Sequence, residues 1–179
     1  MSDHEIVDLV SDDDLKVIGS IDRKRLYEER RSNFRVINAL IINDNNQIWV
    51  PRRHFSKKLF PGALDASVGG HVKSGESYLD AFIRESIEEI NIDPRNVPFK
   101  FLMKLTPQKN DVSAFMHIYL ISYNQEIFYN PSDFEAHYWL SSEEILQRIK
   151  NGDSAKSDLT KIITEYMSCQ LPRPKGRGL

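Results

Sequence analysis

One stretch, residues 76–92, constrains this chain more than any other. Its apolar residues recur three or four positions apart, which predicts a helix over residues 76–90 with one apolar face. The members of that face are Leu79, Phe82, Ile83, Ile87 and Ile90. At about 100° per residue, Glu85, Glu88 and Glu89 fall together on a different face, within about one turn. The sequence therefore predicts an amphipathic helix that carries a cluster of three carboxylates.

A cluster of three carboxylates needs positive charge, because like charges at helical spacing repel one another. Arg84 lies four residues before Glu88 and supplies one charge. A divalent cation would supply the rest, and oxygen ligands suit Mg²⁺ or Mn²⁺, which also recruit substrate phosphates. Taken alone, the run 84–89 is typical of a solvated helix face. Its surroundings favour a site, because Gly69-Gly70 and then Glu76 precede the helix.

The spacing of these residues resembles the Nudix box. Gly70 is followed after five residues by Glu76, and after seven more by residues 84–92, which read RESIEEINI. Two positions depart from the pattern: Ser86 stands where an aliphatic residue is usual, and Asn91 replaces the glycine that ends the helix. Asparagine tolerates the left-handed conformation next best after glycine. Neither departure removes a carboxylate.

The resemblance implies an α/β/α sandwich with a mixed sheet over nearly the whole chain, an α/β (α+β) fold. It implies that Glu85, Glu88 and Glu89, with the carbonyl of Gly69, hold Mg²⁺ or Mn²⁺, and that Arg84 belongs to the catalytic set. Glu76 and Arg84 would form an ion pair that braces loop against helix, and Gly70 would be a structural residue of the box.

The activity that the resemblance implies is hydrolysis of a diphosphate bond. The expected substrate is a nucleoside diphosphate linked to another moiety, or a related diphosphate. Metal-assisted substitution at phosphorus needs no protein nucleophile. The sequence offers no G-x-S-x-G nucleophile motif, and its one cysteine, Cys169, lies close to a polar tail.

A finer resemblance points to the Nudix branch that includes type I isopentenyl-diphosphate isomerase. It rests on Pro51-Arg52-Arg53, Ser56-Lys57-Lys58, Pro61-Gly62, Ser67-Val68 and Gly70-His71. The isomerase needs a cysteine where Gly69 stands, a histidine near Phe34 and a glutamate in the later strand 114–122, and none of them is present. These departures favour a hydrolase over an isomerase. A ligand-sensing, non-enzymatic Nudix domain is a third alternative, and the intact carboxylates argue against it.

Basic residues upstream of the box are candidates for substrate binding. Arg52, Arg53, Lys57 and Lys58 fall in the predicted loop 52–63 and could clamp phosphates or a carboxylate, although a solvated basic turn fits them equally well.

Further downstream, Asp133 and Glu135 are candidates for a further metal ligand or a general base, with surface charge as the slightly favoured alternative. His117 and Trp49 are predicted to be core residues.

The rest of the chain predicts one domain over residues 1–170. It begins with a β-hairpin over residues 5–21 and a short helix over 22–31. Strands are predicted at 34–42, 47–51, 64–68, 100–105, 114–122 and 134–140, and further helices after Ser141 and at 159–167. The Pro/Gly-rich tail 171–179 is predicted to be disordered.

Composition limits the function classes. Lys and Arg number 24 against 26 Asp and Glu in 179 residues, so we expect no nucleic-acid or membrane partner. The partner that the resemblance to the Nudix box implies is a small-molecule diphosphate. A single cysteine excludes an internal disulfide and a cysteine-based zinc site. An acidic, polar N-terminal stretch and the lack of a long apolar run predict a cytoplasmic protein. The sequence leaves the oligomeric state open, a homodimer included.

Overall fold

The structure is a computed structural model that describes residues 5–170. Its strands are β1 (Ile6–Val10), β2 (Val17–Asp22), β3 (Arg35–Ile42), β4 (Ile48–Arg53), β5 (Val68–His71), β6 (Phe99–Leu105), β7 (Phe115–Ser122) and β8 (Phe134–Leu140). Its helices are α1 (Arg23–Glu28), α2 (Tyr78–Ile90), α3 (Pro107–Asn110), α4 (Ser142–Lys150) and α5 (Leu159–Gln170), with a 3-10 turn at Pro94–Asn96.

A six-stranded mixed sheet forms the centre of the fold. Its main order is β6-β7-β3-β4-β8, and β5 pairs with β3. Strands β3 and β7 run parallel, and the other pairs are antiparallel. The early half of β3 pairs with β5 and its last residue, Ile42, pairs with Ile48 of β4. Because β3 is divided in this way, β5 lies beside the middle of the sheet and presents Gly69 and Gly70 close to α2.

Apolar residues pack on both faces of this sheet. Leu40 and Ile118 belong to a cluster that includes Ile145 of α4 and Ile162 of α5. The alternate strand residues, such as Ile41, belong to a second cluster with residues of α2. Successive side chains of a strand point to opposite faces of the sheet, so one face packs against α4 and α5 and the other against α2. This is the arrangement of the predicted α/β/α sandwich. None of the helices within residues 5–170 is long and apolar enough to cross a membrane.

The predicted N-terminal hairpin is present, because β1 and β2 pair antiparallel. It packs through Val7 and Ile21 against Leu26, Phe34 and Ala114. This small apolar cluster attaches the hairpin and α1 to the start of β3.

Asp14, in the turn of the hairpin, is buried in a network of charged and polar groups. Its carboxylate accepts hydrogen bonds from Arg35 Nε at 2.5 Å and Tyr78 Oη at 2.9 Å, and pairs with Lys104 Nζ at 2.7 Å. Burial alone would raise the pKa of the Asp14 carboxyl, but the bonds from Lys104, Arg35 and Tyr78 lower it below the ordinary Asp value. Asp14 therefore links the hairpin to β3, α2 and β6.

Replacing Asp14 with asparagine should lower the free energy of unfolding by about 2–3 kcal/mol, because Arg35 and Lys104 lose their charged partner. Since the folded pKa of Asp14 is lowered, its stabilisation is present above the unfolded pKa and is lost as pH falls through the folded pKa. Urea unfolding at pH 7 and at pH 3 measures both effects. Equal stability losses for Asp14→Asn at the two pH values would contradict this account.

The predicted elements are present except for the strand at 64–68, and three details of the prediction are wrong. β4 continues to Arg53, so Arg52 and Arg53 lie on a strand and not in a loop; Arg52 pairs with Ala136 of β8. β5 begins at Val68 and contains both glycines, while Leu64 makes only isolated bridges. Helix α3 and the 3-10 turn were not predicted, because four and three residues carry too little periodicity. The predicted tail 171–179 lies outside the described residues.

Candidate active site

A cleft of about 1390 Å³ opens above β3 and β5. The N-terminal hairpin and α1 contribute residues such as Ile6 and Tyr27 to it, and the segment after β4 contributes Lys57 and Phe60. Helix α2 contributes Arg84 and the three glutamates predicted from the sequence. The structure thus brings the acidic cluster and part of the basic stretch to one cleft.

Helix α2 has well-defined ends. The side chain of Ser77 caps its first turn by accepting a hydrogen bond from the Asp80 amide at 3.1 Å. Asn91 ends the helix with φ 54°, in the left-handed region. Glycine favours this region, and asparagine tolerates it next best. The Asn91 side-chain amide also donates to the Phe128 carbonyl at 2.6 Å. The substitution at the end of the box therefore preserves the helix end.

The predicted faces of α2 are partly wrong. Leu79 and Ile87, assigned to the apolar face, are 44% and 40% exposed. Instead, the buried face contains Ala81, Phe82, Glu85, Ser86, Glu89 and Ile90. Two of the carboxylates therefore lie on the buried face of α2 and not on a separate solvated one, while Glu88 is exposed. A buried carboxylate is costly without a partner, so these two residues need compensating charge.

Gly70 allows Glu85 to approach the sheet. A Cβ atom on Gly70 would lie 2.1 Å from the Glu85 carboxyl carbon. A side chain on residue 70 would displace the Glu85 carboxylate from this position, which gives a steric reason for the glycine of the box. Beside it, the Gly69 amide donates a hydrogen bond to Glu89 Oε2 at 3.1 Å. Gly69 and Gly70 thus bring the backbone of β5 against both buried carboxylates.

The buried carboxylates are short of positive charge. Burial raises the pKa of Glu85 to about 7, although the Arg84 charge opposes the rise. Burial, with the negative charge of Glu85, also raises the pKa of Glu89 well above its ordinary value. Both groups would ionise more readily if a cation lay beside them.

Arg84 connects the parts of the site. Its guanidinium binds both oxygens of Glu76 at 2.8 and 2.9 Å, which confirms the expected ion pair between loop and helix. It also donates to Glu85 at 2.6 Å and to the His71 carbonyl at 3.0 Å, and lies 3.5 Å from Glu88. A bidentate Arg–carboxylate pair gives directional restraint as well as energy.

The donor set fits Mg²⁺ or Mn²⁺ by its chemistry. All the side-chain donors are carboxylate oxygens, and two of the three carboxyl groups are buried with raised pKa values. In the arrangement shown for residues 5–170, no three His, Cys, Asp or Glu side chains converge on one point that could hold a metal. Arg84 holds Glu85 and approaches Glu88, so it supplies the charge in this arrangement.

The four basic candidates separate into two groups. Arg53, Lys57 and Lys58 line the cleft, where Arg53 pairs with buried Asp65 at 2.7 Å. Arg52 does not line the cleft formed by the described residues. Its guanidinium binds Asp153 at 2.9 and 3.0 Å and the Gly62 carbonyl at 2.6 Å.

Of the two downstream candidates, Asp133 and Glu135, only Asp133 lies in the cleft formed by the described residues. Asp133 lines the cleft, pairs with Lys57, and its charge contributes to the raised pKa of Glu89. Glu135 lies 3.4 Å from His54 Nε2 and is 45% exposed. Only Asp133 stands close to the carboxylates of α2, in a smaller pocket that it shares with them and with Lys57.

Sequence reasoning missed an aromatic group in the cleft. Tyr27 Oη lies 2.9 Å from His71 Nε2, and the His71 ring stacks on Phe34 with 5.6 Å between ring centroids. Burial, with the charges of Arg23, Lys156 and Arg84, lowers the pKa of His71 to about 3, so the ring is neutral at pH 7. Tyr27 gave no signal because its helix reads as a short surface helix.

The core residues predicted from the sequence are partly confirmed. Trp49 is fully buried, and His117 stacks on Tyr78 with 3.6 Å between ring centroids, half-buried. Burial lowers the pKa of His117 to about 4. Neither residue lines the cleft that residues 5–170 form.

The comparison with known families decides the assignment. A NUDIX domain family model matches residues 32–161, most of the chain. The chain belongs to the Nudix family. The hairpin and α1 precede the matched region, so part of the cleft wall comes from outside the matched Nudix domain.

Individual relatives agree with this assignment. An uncharacterised Nudix hydrolase of Nostoc sp. is 44% identical over 93% of this chain and 98% of its own length. The crystal structure of DR0079 from Deinococcus radiodurans has a TM-score of 0.84 at 39% identity, covering 90% of this chain and 98% of that one. An isopentenyl-diphosphate Delta-isomerase of Photorhabdus laumondii is 26% identical over 83% of this chain and 86% of its own length. The mixed α/β sandwich predicted from the sequence is thereby confirmed.

Proposed function

We propose that this protein is a metal-dependent pyrophosphohydrolase. It cleaves a phosphoanhydride bond in a nucleoside diphosphate linked to another moiety, or in a related small-molecule diphosphate. The observation that carries the proposal is the acidic cluster of α2, which faces a cleft that also contains Arg53, Lys57 and Lys58. Oppositely charged groups on one cleft suit a cation and a polyphosphate bound together.

We assign a role to each residue of the site. Glu85, Glu88 and Glu89, with the Gly69 carbonyl, would hold Mg²⁺ or Mn²⁺. When bound, the cation supplies positive charge to the phosphate oxygens and acidity to water. Arg84 holds Glu85 in place, and Glu76 fixes Arg84.

On the basic side, Lys57, Lys58 and Arg53 attract the anionic substrate and orient its phosphates. Arg52 restrains the segment after β4 through the Gly62 carbonyl, so we assign it a positioning role.

The structure gives a reason against the isomerase alternative. Isomerisation of an unactivated alkene needs an acid and a base that move protons at carbon. Gly69 has no side chain to offer, and the space beside it is taken by Asn38 and Lys156, whose polar atoms lie 3.0 and 3.5 Å from the position of a Cβ there. Strand β7 contains no carboxylate, and its His117 lies outside the cleft.

Phosphate release over a panel of nucleotide sugars, dinucleotides and nucleoside triphosphates, with and without Mg²⁺ or Mn²⁺, tests the proposal. We expect cation-dependent release from at least one class. A protein that hydrolyses none of them with either cation would contradict the proposal.

Incubation with isopentenyl diphosphate and Mg²⁺ should give no dimethylallyl diphosphate, because Gly69 has no side chain and β7 has no carboxylate to move protons at carbon. NMR or mass-resolved chromatography separates the two isomers. An authentic isomerase assayed in parallel provides the positive control. Robust formation of the isomer would replace the hydrolase assignment with the isomerase one.

A further inference from the structure

The middle of β3 contains a buried amide with unused hydrogen-bonding capacity. Asn38 is 4% exposed, yet it lines the cleft. Its amide nitrogen contacts Met116 Sδ at 3.7 Å, and a thioether is a weak acceptor. Buried polar groups are normally hydrogen-bonded, and the neighbouring buried residues of β3 are apolar. A polar group at this position is therefore explained better by a ligand than by the core.

Lys156 brings a positive charge to the same place. Its backbone is fixed, because its amide donates to the Leu64 carbonyl at 2.8 Å and its carbonyl accepts from Leu159 at 3.0 Å. Its side chain is 29% exposed and lines the cleft. The nearest carboxylate, Asp65, lies 3.5 Å away and is already paired with Arg53 at 2.7 Å. One carboxylate shared by two cations leaves positive charge for an anion.

The two groups meet beside Gly69. Asn38 Oδ1 lies 3.0 Å and Lys156 Nζ lies 3.5 Å from the point that a Cβ on Gly69 would occupy. The Gly69 amide in turn donates to Glu89, so this point directly adjoins the acidic cluster. A diphosphate with one phosphate at the acidic cluster would therefore place its other phosphate near Lys156 Nζ.

We propose that Lys156 binds a phosphate oxygen of the diphosphate substrate beside Gly69. The Asn38 amide turns about χ2 when the phosphate binds, so that its NH2 group leaves the weak contact with Met116 and donates to the same phosphate. This inference rests on the proposed function and adds a phosphate-binding residue to Arg53, Lys57 and Lys58, next to Arg53 through their shared partner Asp65. It makes Lys156 a binding residue for the phosphate that follows the one at the acidic cluster.

Binding of methylenediphosphonate in the presence of Mg²⁺ tests this site without turnover, because its P–C–P bridge resists hydrolysis. Lys156→Met keeps the length of the side chain and removes its charge, and should weaken binding about 10–100-fold by calorimetry. Asn38→Leu should weaken binding about 3–10-fold without lowering the melting temperature, since it removes a poorly bonded buried amide. The matched control is Lys161→Met, an exposed lysine that pairs with exposed Asp111 outside the cleft.

The outcomes separate the inference from the proposed function. Unchanged affinity in Lys156→Met, or no binding of the diphosphonate by the wild-type protein at millimolar concentration, would overturn the inference. A wild-type protein that binds the diphosphonate through Lys156 but hydrolyses no diphosphate would overturn only the proposed function. With a substrate in hand, Lys156→Met should raise KM more than it lowers kcat, because the lysine binds a phosphate in the ground state as well.

Discussion

Replacing Glu89 with glutamine should lower turnover of the substrate about a thousandfold or more while the protein stays folded. Glu89 belongs to the carboxylate cluster that would hold the cation, and the loss of metal-assisted stabilisation costs several kcal/mol of activation free energy. Glu88→Gln should show the same direction of change. Steady-state kinetics on the substrate found in the phosphate-release panel measures the effect.

The fold should tolerate this change, because glutamine has the shape of glutamate and its carbonyl oxygen can still accept the hydrogen bond from the Gly69 amide. Burying a neutral amide also costs less than burying a carboxylate whose pKa burial has raised. The melting temperature of the metal-free Glu89→Gln protein should therefore equal or exceed that of the wild type. A large loss of stability would indicate that the carboxylate serves the core.

A matched control comes from helix α4. Glu143 is exposed in its first turn and lies outside the cleft, so Glu143→Gln makes the same chemical change away from the site. Its turnover should stay within about twofold of the wild type, as expected for a surface substitution. If Glu89→Gln also kept near-normal turnover, the assignment of Glu89 to the cation site would be wrong.

The sequence predicted the fold well because its signals were local and strong. β-branched runs such as residues 34–42 and 114–122 are buried on both faces, so their strand character needs no tertiary information. The order of glycine, glutamate and the acidic helix carried the resemblance to the Nudix box, and that resemblance implied the ion pair between Glu76 and Arg84 that the structure contains.

The parts that the sequence did not predict depend on tertiary contacts. The carboxylates of Glu85 and Glu89 are buried because β5 approaches α2 without side chains, which helical periodicity cannot show. Lys156 carries no sequence signal, since its position depends on a backbone pairing with Leu64, far away in the chain. Asn38 did carry a signal, because an amide in the middle of a buried strand is unusual.

Addition of Mg²⁺ or Mn²⁺ should raise the melting temperature by about 5–10 °C at a cation concentration about a hundred times Kd. A ligand that binds only the folded state stabilises it by about 2.7 kcal/mol at that ratio, and a domain of this size gains about 2–4 °C per kcal/mol. Differential scanning fluorimetry measures the shift. The protein is first freed of metal with a chelator, and Mg²⁺ or Mn²⁺ is then titrated into a buffer without Ca²⁺.

The triple variant Glu85→Gln, Glu88→Gln, Glu89→Gln should abolish this shift, since it removes all three side-chain donors. It should also melt no lower than the metal-free wild type, because relief of crowding among the carboxylates offsets the loss of the bond between Arg84 and Glu85. The single variant Glu143→Gln should keep the full shift. A triple variant that folds and shows an unchanged shift would mean that the cation binds elsewhere, and the acidic face of α2 would then need another explanation.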